Sequence, residues 1–214
     1  MWQNIQMHIK GKWRRHSDAA QAAFVTHCSG VKSQEKKTTR YQEQEEQRVA
    51  AYQEQIKDIP PEKIAYVDEC GIDTYLYREY GYASRGQQVF GRISGRRYQR
   101  CGIVAAKMGD QIIAPFQYSG TMDSRLFDFW FSHQLLPSLD KGTVIVMDNA
   151  SFHSKKRLTA AAQSVGCTLL FLPPYSPELN PIEKFWAWLK RCLRNILPSA
   201  PSFDAAIFTT FQLW

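Results

Sequence analysis

Beyond Pro61 the chain alternates short apolar runs with polar breaks, and that rhythm predicts the elements. Ile64 to Val67 (IAYV) is an apolar run that stops at Asp68. Arg100 to Lys107 and Gln111 to Tyr118 read as strands on either side of a Met108-Gly109-Asp110 turn, and Gln87 to Ile93 is a weaker strand candidate. From Asp123 to Leu136 the period changes, because Leu126, Phe127, Trp130, Phe131 and Leu135 fall on one helical stripe. A strand from Thr143 to Met147, a helix near Lys155 to Ser164, a strand from Thr168 to Leu172 and a helix from Ile182 to about Leu197 follow. A strand meander leading into alternating strands and helices predicts an α/β chain with a mixed sheet flanked by helices.

The residues before Pro61 are patterned differently. Ser17 to Gly30 reads as a short helix between an N-cap serine and a glycine stop, with few large apolar residues to anchor it. Arg40 to Asp58 is rich in Gln and Glu, places Val49, Tyr52 and Ile56 at helical spacing, and ends at Pro60 and Pro61. It predicts a mostly exposed connecting helix. The expected division is a helical N-terminal extension and linker over 1–60, then one domain over 61–214.

A chain of 214 residues with 44% hydrophobic content can bury the core of one domain. No run approaches the roughly 18 apolar residues of a membrane span. Met1 to Gly11 also lacks the apolar stretch of a secretory signal, so a cytoplasmic protein without a membrane partner is expected. The cysteines are scattered with no C-x-x-C pair, which argues against a disulfide framework and a thiolate zinc site.

Charge adds a partner class. The net charge is +7 and the excess is local. Arg85, Arg92, Arg96, Arg97, Arg100 and Lys107 follow one another with no acid between, as do Lys184, Lys190, Arg191 and Arg194. Single-sign blocks on a folded chain resemble the footprint of a polyphosphate. A solvated basic face, or a charged hairpin edge that resists aggregation, remains the alternative.

Three carboxylates stand out. Asp68 follows IAYV and Asp148 follows VIVM, two runs that read as strands buried on both faces, so each acid is expected where its strand leaves the sheet. If the two strands are parallel neighbours, about 4.8 Å apart, the aspartates emerge side by side and repel unless a proton or cation lies between them. The competing reading is that each merely opens a turn. Glu183 is the third vertex. Asn180 as N-cap, Pro181 at the first helical position and Glu183 two further on form a capping box, which is a structural reading in its own right. On the helix wheel, however, Glu183, Ala187, Lys190 and Arg194 line one stripe opposite Phe185, Trp188, Leu189, Cys192, Leu193 and Ile196. Carboxylates of this kind suit hard divalent ions, Mg²⁺ or Mn²⁺ as a pair, and not Zn²⁺.

YVDECGID around Asp68, VIVMDNASFH around Asp148 and LLFLPPYSPELNPIEKFWAWLK around Glu183 resemble the three signature segments of DDE transposases, specifically the mariner-like bacterial insertion-sequence family. The resemblance runs from about Lys36 to Leu197, with thirty-four residues between Asp148 and Glu183. It implies an RNase H-like fold with a five-stranded mixed sheet. It implies metal-dependent cleavage of double-stranded DNA at element ends and strand transfer into target DNA at TA sites, by a homo-oligomer assembled on the DNA. Carried over, Asp68, Asp148 and Glu183 are the catalytic and metal-binding residues. Asn149, His153 and Asn180 fall in matching positions as supporting residues, with a plain surface histidine as the alternative for His153. Arg96, Arg97, Arg100, Lys190 and Arg194 are the expected DNA-phosphate contacts. The sequence departs from the family at residues 1–35, which are too weakly patterned for a pair of helix-turn-helix units. An upstream-frame DNA-binding half would supply them. An idle or truncated remnant that only binds DNA or dimerises is the alternative function, and an RNase H-type nuclease on RNA–DNA hybrids ranks behind both.

Overall fold

The computed structural model describes residues 41–74, 99–150 and 154–214, with positions 84, 86–88 and 90. The expected helix at 17–30 and residues Arg96, Arg97 and His153 lie outside the described residues, as does most of the strand candidate at 87–93. Helix α1 spans Glu46–Ile56, followed by strands β1 (Ile64–Asp73), β2 (Arg100–Met108) and β3 (Gln111–Tyr118). Helix α2 (Ser124–Trp130), strand β4 (Val144–Met147), helix α3 (Lys155–Ser164), strand β5 (Thr168–Phe171) and helices α4 (Ile182–Ile196) and α5 (Phe203–Phe211) complete the order.

The sheet runs β3-β2-β1-β4-β5. β1, β2 and β3 pair antiparallel, whereas β4 lies parallel to β1 and β5 parallel to β4. This is the five-stranded mixed sheet expected. Alternation sorts its residues between two layers. Ala65, Val67, Val104, Ala106, Ile145 and Met147 share one core with Phe127 and Trp130 of α2 and Leu158 of α3. Cys70, Ile72, Cys101, Ile103 and Ala105 face the other way, onto Phe185, Trp186 and Leu189 of α4 and Ala206 of α5.

Four expectations are corrected. β1 does not end at Val67. It runs on to Asp73 because β2 continues to pair with it, Asp68 lying opposite Ala105 and Asp73 opposite Arg100. The single helix expected to Leu136 stops at Trp130 and passes through a π-helical turn over Phe131–Leu135 into a 3-10 turn that contains Pro137. Asp123 caps its start, the carboxylate accepting the Leu126 N–H at 2.8 Å. Helix α1, expected in a separate extension, belongs to the compact unit Arg40–Trp214. The reason is Tyr52, which is buried among Ile64, Val144, Val146 and Leu172. The tail, for which no element was expected, forms α5 behind the N-cap Ser202 and packs on the domain's own flank. Trp214 closes it, with its ring 4.9 Å from those of Phe185 and Trp188 and its indole N–H donating to the Asp110 carbonyl.

Candidate active site

The parallel pairing of β1 with β4 reaches Tyr66 opposite Val146 and stops there. Two residues further along each chain stand Asp68 and Asp148. Alternation turns Asp68 toward the layer of α4, the side on which Cys70 and Ile72 pack. Val144 and Val146 face that same side, so Asp148 leaves β4 in the same sense. β4 ends at Met147 while β1 continues, which makes Asp68 a residue inside a strand whose parallel neighbour has just ended. Asp148 is exposed and its carboxylate accepts the Ala150 N–H at 3.3 Å.

The helix that brings Glu183 is built differently from the capping box expected. Asn180 does not cap α4. Pro181 holds the cap position, and the Asn180 side chain turns inward, 5% exposed, to donate from Nδ2 to the Val67 carbonyl at 3.4 Å. Its Oδ1 is buried with no hydrogen-bond partner among the described residues. Glu183 is exposed in the first helical turn. Ile182, Phe185, Trp186, Leu189 and Leu193 form the buried side of α4.

Asp68 feels the charge of the other two acids. The Asp68 carboxyl is pushed up to about 7, first by burial and then by the negative charge of Glu183, with Asp148 adding to it. Hydrogen bonds from the Glu69 backbone and the Trp186 indole pull in the opposite direction and are outweighed. Glu69 is also pushed up to about 7, by burial first and then by Asp148 and Asp68. Negative charge concentrated where burial already disfavours it is the condition that a cation relieves. Among the described residues no group of three or more His, Cys, Asp or Glu side chains is arranged to hold a metal ion. Oxygen-only donors with open positions fit Mg²⁺ or Mn²⁺, which keep several waters, better than Zn²⁺.

The expected cations divide between the two faces. Lys190 lies beside the Cys70 thiol and draws its pKa down against the larger, opposing effect of burial, so it stands on the Asp68 side of the sheet. Arg100 lies over Gly71, where an added Cβ would come 3.1 Å from its guanidinium, on the side of Val67 and Ala65. Arg194, four residues beyond Lys190, is half-buried on α4. Asn149 follows Asp148 and is exposed. The residue missed from the sequence is Trp186. It is 2% exposed, and its Nε1–H donates to Asp68 Oδ2 at 3.0 Å. A tryptophan on an amphipathic helix reads as core, so no sequence signal marked it.

Residues 63–205 match the family described as DDE superfamily endonuclease. An uncharacterized protein of Sinorhizobium fredii is 40% identical over 55 residues, a match that spans 25% of this chain and 38% of that protein. Among solved structures, the Mos1 transposase paired-end complex with left transposon end superposes with a TM-score of 0.56 at 14% identity, covering 91% of this chain and 67% of that one. The Mos1 strand transfer complex gives 0.56 at 13% identity, over 91% and 66%. The Mos1 mariner paired-end complex with Mn gives 0.53 at 12%, over 92% and 68%. The likeness at these identities is one of fold, and the fold is RNase H-like.

Proposed function

The chain belongs to the DDE superfamily endonuclease family, and we propose that it is the catalytic part of a mariner-type transposase. In this reading it cuts double-stranded DNA at the ends of a mobile element and joins the freed 3′-hydroxyls to target DNA. The observation that carries the reading is the placement of Asp68 beside the end of β4 that leads to Asp148 and against the helix α4 that bears Glu183, where both acids act on its charge. A strand, a neighbouring strand end and a helix, distant in sequence, supply these three acids.

Asp68, Asp148 and Glu183 would hold the divalent ions. When bound, two such ions supply activation of the attacking oxygen and stabilisation of the leaving oxygen. The chain's own contribution is charge and position. Asp68 lends a carboxylate from the rigid centre of the sheet, Asp148 from the adjacent strand end, and Glu183 from a helix anchored by Asn180. Lys190 and Arg194 follow Glu183 at seven and eleven residues along α4 and would hold backbone phosphates leading away from the cut. Arg100 would contact phosphates from the other face. The solved complex of a transposase with a transposon end supports DNA as a partner; a synaptic homo-oligomer, a separate DNA-reading half and cytoplasmic, nucleoid-associated placement belong to the proposal.

The test is the chemistry of the nick. In Mn²⁺ the chain is expected to nick supercoiled plasmid and leave 3′-hydroxyls that a DNA polymerase extends. Plasmid bound but uncut would make the chain an idle DNA-binding remnant. Cleavage of RNA–DNA hybrid in preference to duplex DNA would favour the RNase H-type reading.

A further inference from the structure

Two side chains of the helix α4 region reach β1 on either side of Glu183. Three residues before it, Asn180 donates to the Val67 carbonyl, and three residues after it, Trp186 donates to the Asp68 carboxylate. Both are buried. Together they fasten the first turn of α4 to the two consecutive residues of β1 that end in the first acid. The spacing between Asp68 and Glu183 is therefore set by protein contacts.

From this geometry we infer that Trp186 is a positioning residue that aims the Asp68 carboxylate, and thereby sets the affinity of the three-carboxylate site for its divalent ion. This inference rests on the reading of Asp68, Asp148 and Glu183 as metal ligands. The indole is suited to the task for three physical reasons. It has a single N–H and no acceptor, so it can only donate, and it fixes which oxygen of Asp68 is engaged. That oxygen is Oδ2; the carboxylate also accepts from the Glu69 backbone, and the lone pairs left by these two bonds are the donors available to a cation. The indole is also wedged: its ring lies 4.9 Å from that of Phe185, so the N–H has little freedom to follow a carboxylate that rotates away. Finally, the bond is formed at a part-buried site, from a donor that is itself 2% exposed, where water competes less well for the carboxylate than at the surface. Partners that orient ligands in this way typically affect metal affinity by about ten- to a hundredfold.

The experiment measures Mn²⁺ binding directly, by loss of the free-ion electron paramagnetic resonance signal, for the wild-type chain, Trp186→Phe and Asp148→Asn. Phenylalanine keeps an apolar ring but removes the donor together with one ring of the buried indole, so some stability is lost with the volume. Trp186→Phe is expected to weaken Mn²⁺ binding by roughly tenfold, while its circular dichroism spectrum stays close to wild type. A Trp186→Phe affinity equal to wild type, beside an Asp148→Asn variant that has lost binding, would overturn the inference and leave the metal-ligand reading intact. Equal binding by wild type and Asp148→Asn would overturn both. Should Trp186→Phe fail to fold, ¹⁵N-indole spectra of the wild-type chain decide. Mg²⁺ is expected to move the Trp186 Nε1–H resonance more than that of Trp130, whose indole donates to the Ala114 carbonyl away from the site. An unmoved Trp186 resonance would overturn the inference.

Discussion

Asn180 and Val67 meet where helix α4 approaches the sheet, the Asn180 Nδ2 donating to the Val67 carbonyl at 3.4 Å. The bond ties the residue before Asp68 to the residue three before Glu183. It predicts that Asn180→Ala lowers stability by about 1–3 kcal/mol, the usual effect of stranding a buried carbonyl. Asn180→Asp should cost more, since it sets a buried carboxylate against that carbonyl and adjacent to three acids. Urea unfolding of both variants checks the order, and an Asp variant as stable as wild type would contradict it.

The position of Asp68 makes the metal-free protein sensitive to pH in an unusual direction. Its carboxyl is raised from 3.8 to about 7 in the folded chain, so the folded state holds more protons than the unfolded state across that interval. Stability therefore falls as pH rises from about 4 to about 7 and levels off above. The fall amounts to at most about 4 kcal/mol, because each tenfold difference in proton affinity between the folded and unfolded chain is worth about 1.36 kcal/mol. Glu69, raised from 4.5 to about 7, acts in the same sense. The chain in EDTA is expected to unfold at a lower temperature at pH 8 than at pH 5, and Asp68→Asn should flatten that dependence. Mg²⁺ at pH 8 should restore stability by mass action. A metal-free chain that gains stability between pH 5 and pH 8 would contradict this account of the site.

The cations of helix α4 predict a change in salt dependence. Replacing Lys190 or Arg194 with Gln should weaken binding of duplexes of any sequence alike and reduce the slope of log K against log salt by about one per lost phosphate contact. Arg100→Gln tests the opposite face in the same titration. Slopes equal to wild type for all three would move the DNA to another surface.

Packing at Gly102 gives a prediction independent of function. The Tyr118 ring lies across this glycine where a Cβ would stand, so Gly102→Ala must displace the ring. A loss of about 1–3 kcal/mol is expected from such overpacking, measured by thermal unfolding. Tyr118→Ala in the same background should recover part of it.

Strand β4 was legible because VIVM is a continuous apolar run buried on both faces, and β5 because TLLF, between Gly166 and Pro173, is a short run of strand-favouring residues, though as the edge strand it is only partly buried. The extension of β1 was not legible. Glu69, Gly71 and Asp73 break its apolar pattern, and the ladder with β2 holds them in the sheet regardless. The placement of Asp148 past its strand and of Glu183 in a first helical turn could be read because the local chain path determines both, whereas Asp68 was expected at a strand end and lies inside β1. Asn180 was misread because Asn-Pro at a helix start is a capping signal, and only the nearby Val67 carbonyl draws it inward. Trp186 left no local trace at all. Its partner Asp68 lies 118 positions away, and a helix wheel records only which way a side chain points. Helix α5 was not read from the sequence: Ser202 caps its start, yet its packing depends on an apolar face that α4, β1 and β2 create together.

If Asp68, Asp148 and Glu183 act as one divalent-ion site for DNA cleavage, none of the three is dispensable. The most direct measurement is plasmid nicking in Mn²⁺ by the wild-type chain beside Asp68→Asn, Asp148→Asn and Glu183→Gln, each verified as folded and as binding DNA. Nicking by the wild type is expected, with its loss, to background, in every one of the three. Nicking that survives any single neutralisation would contradict the three-carboxylate site.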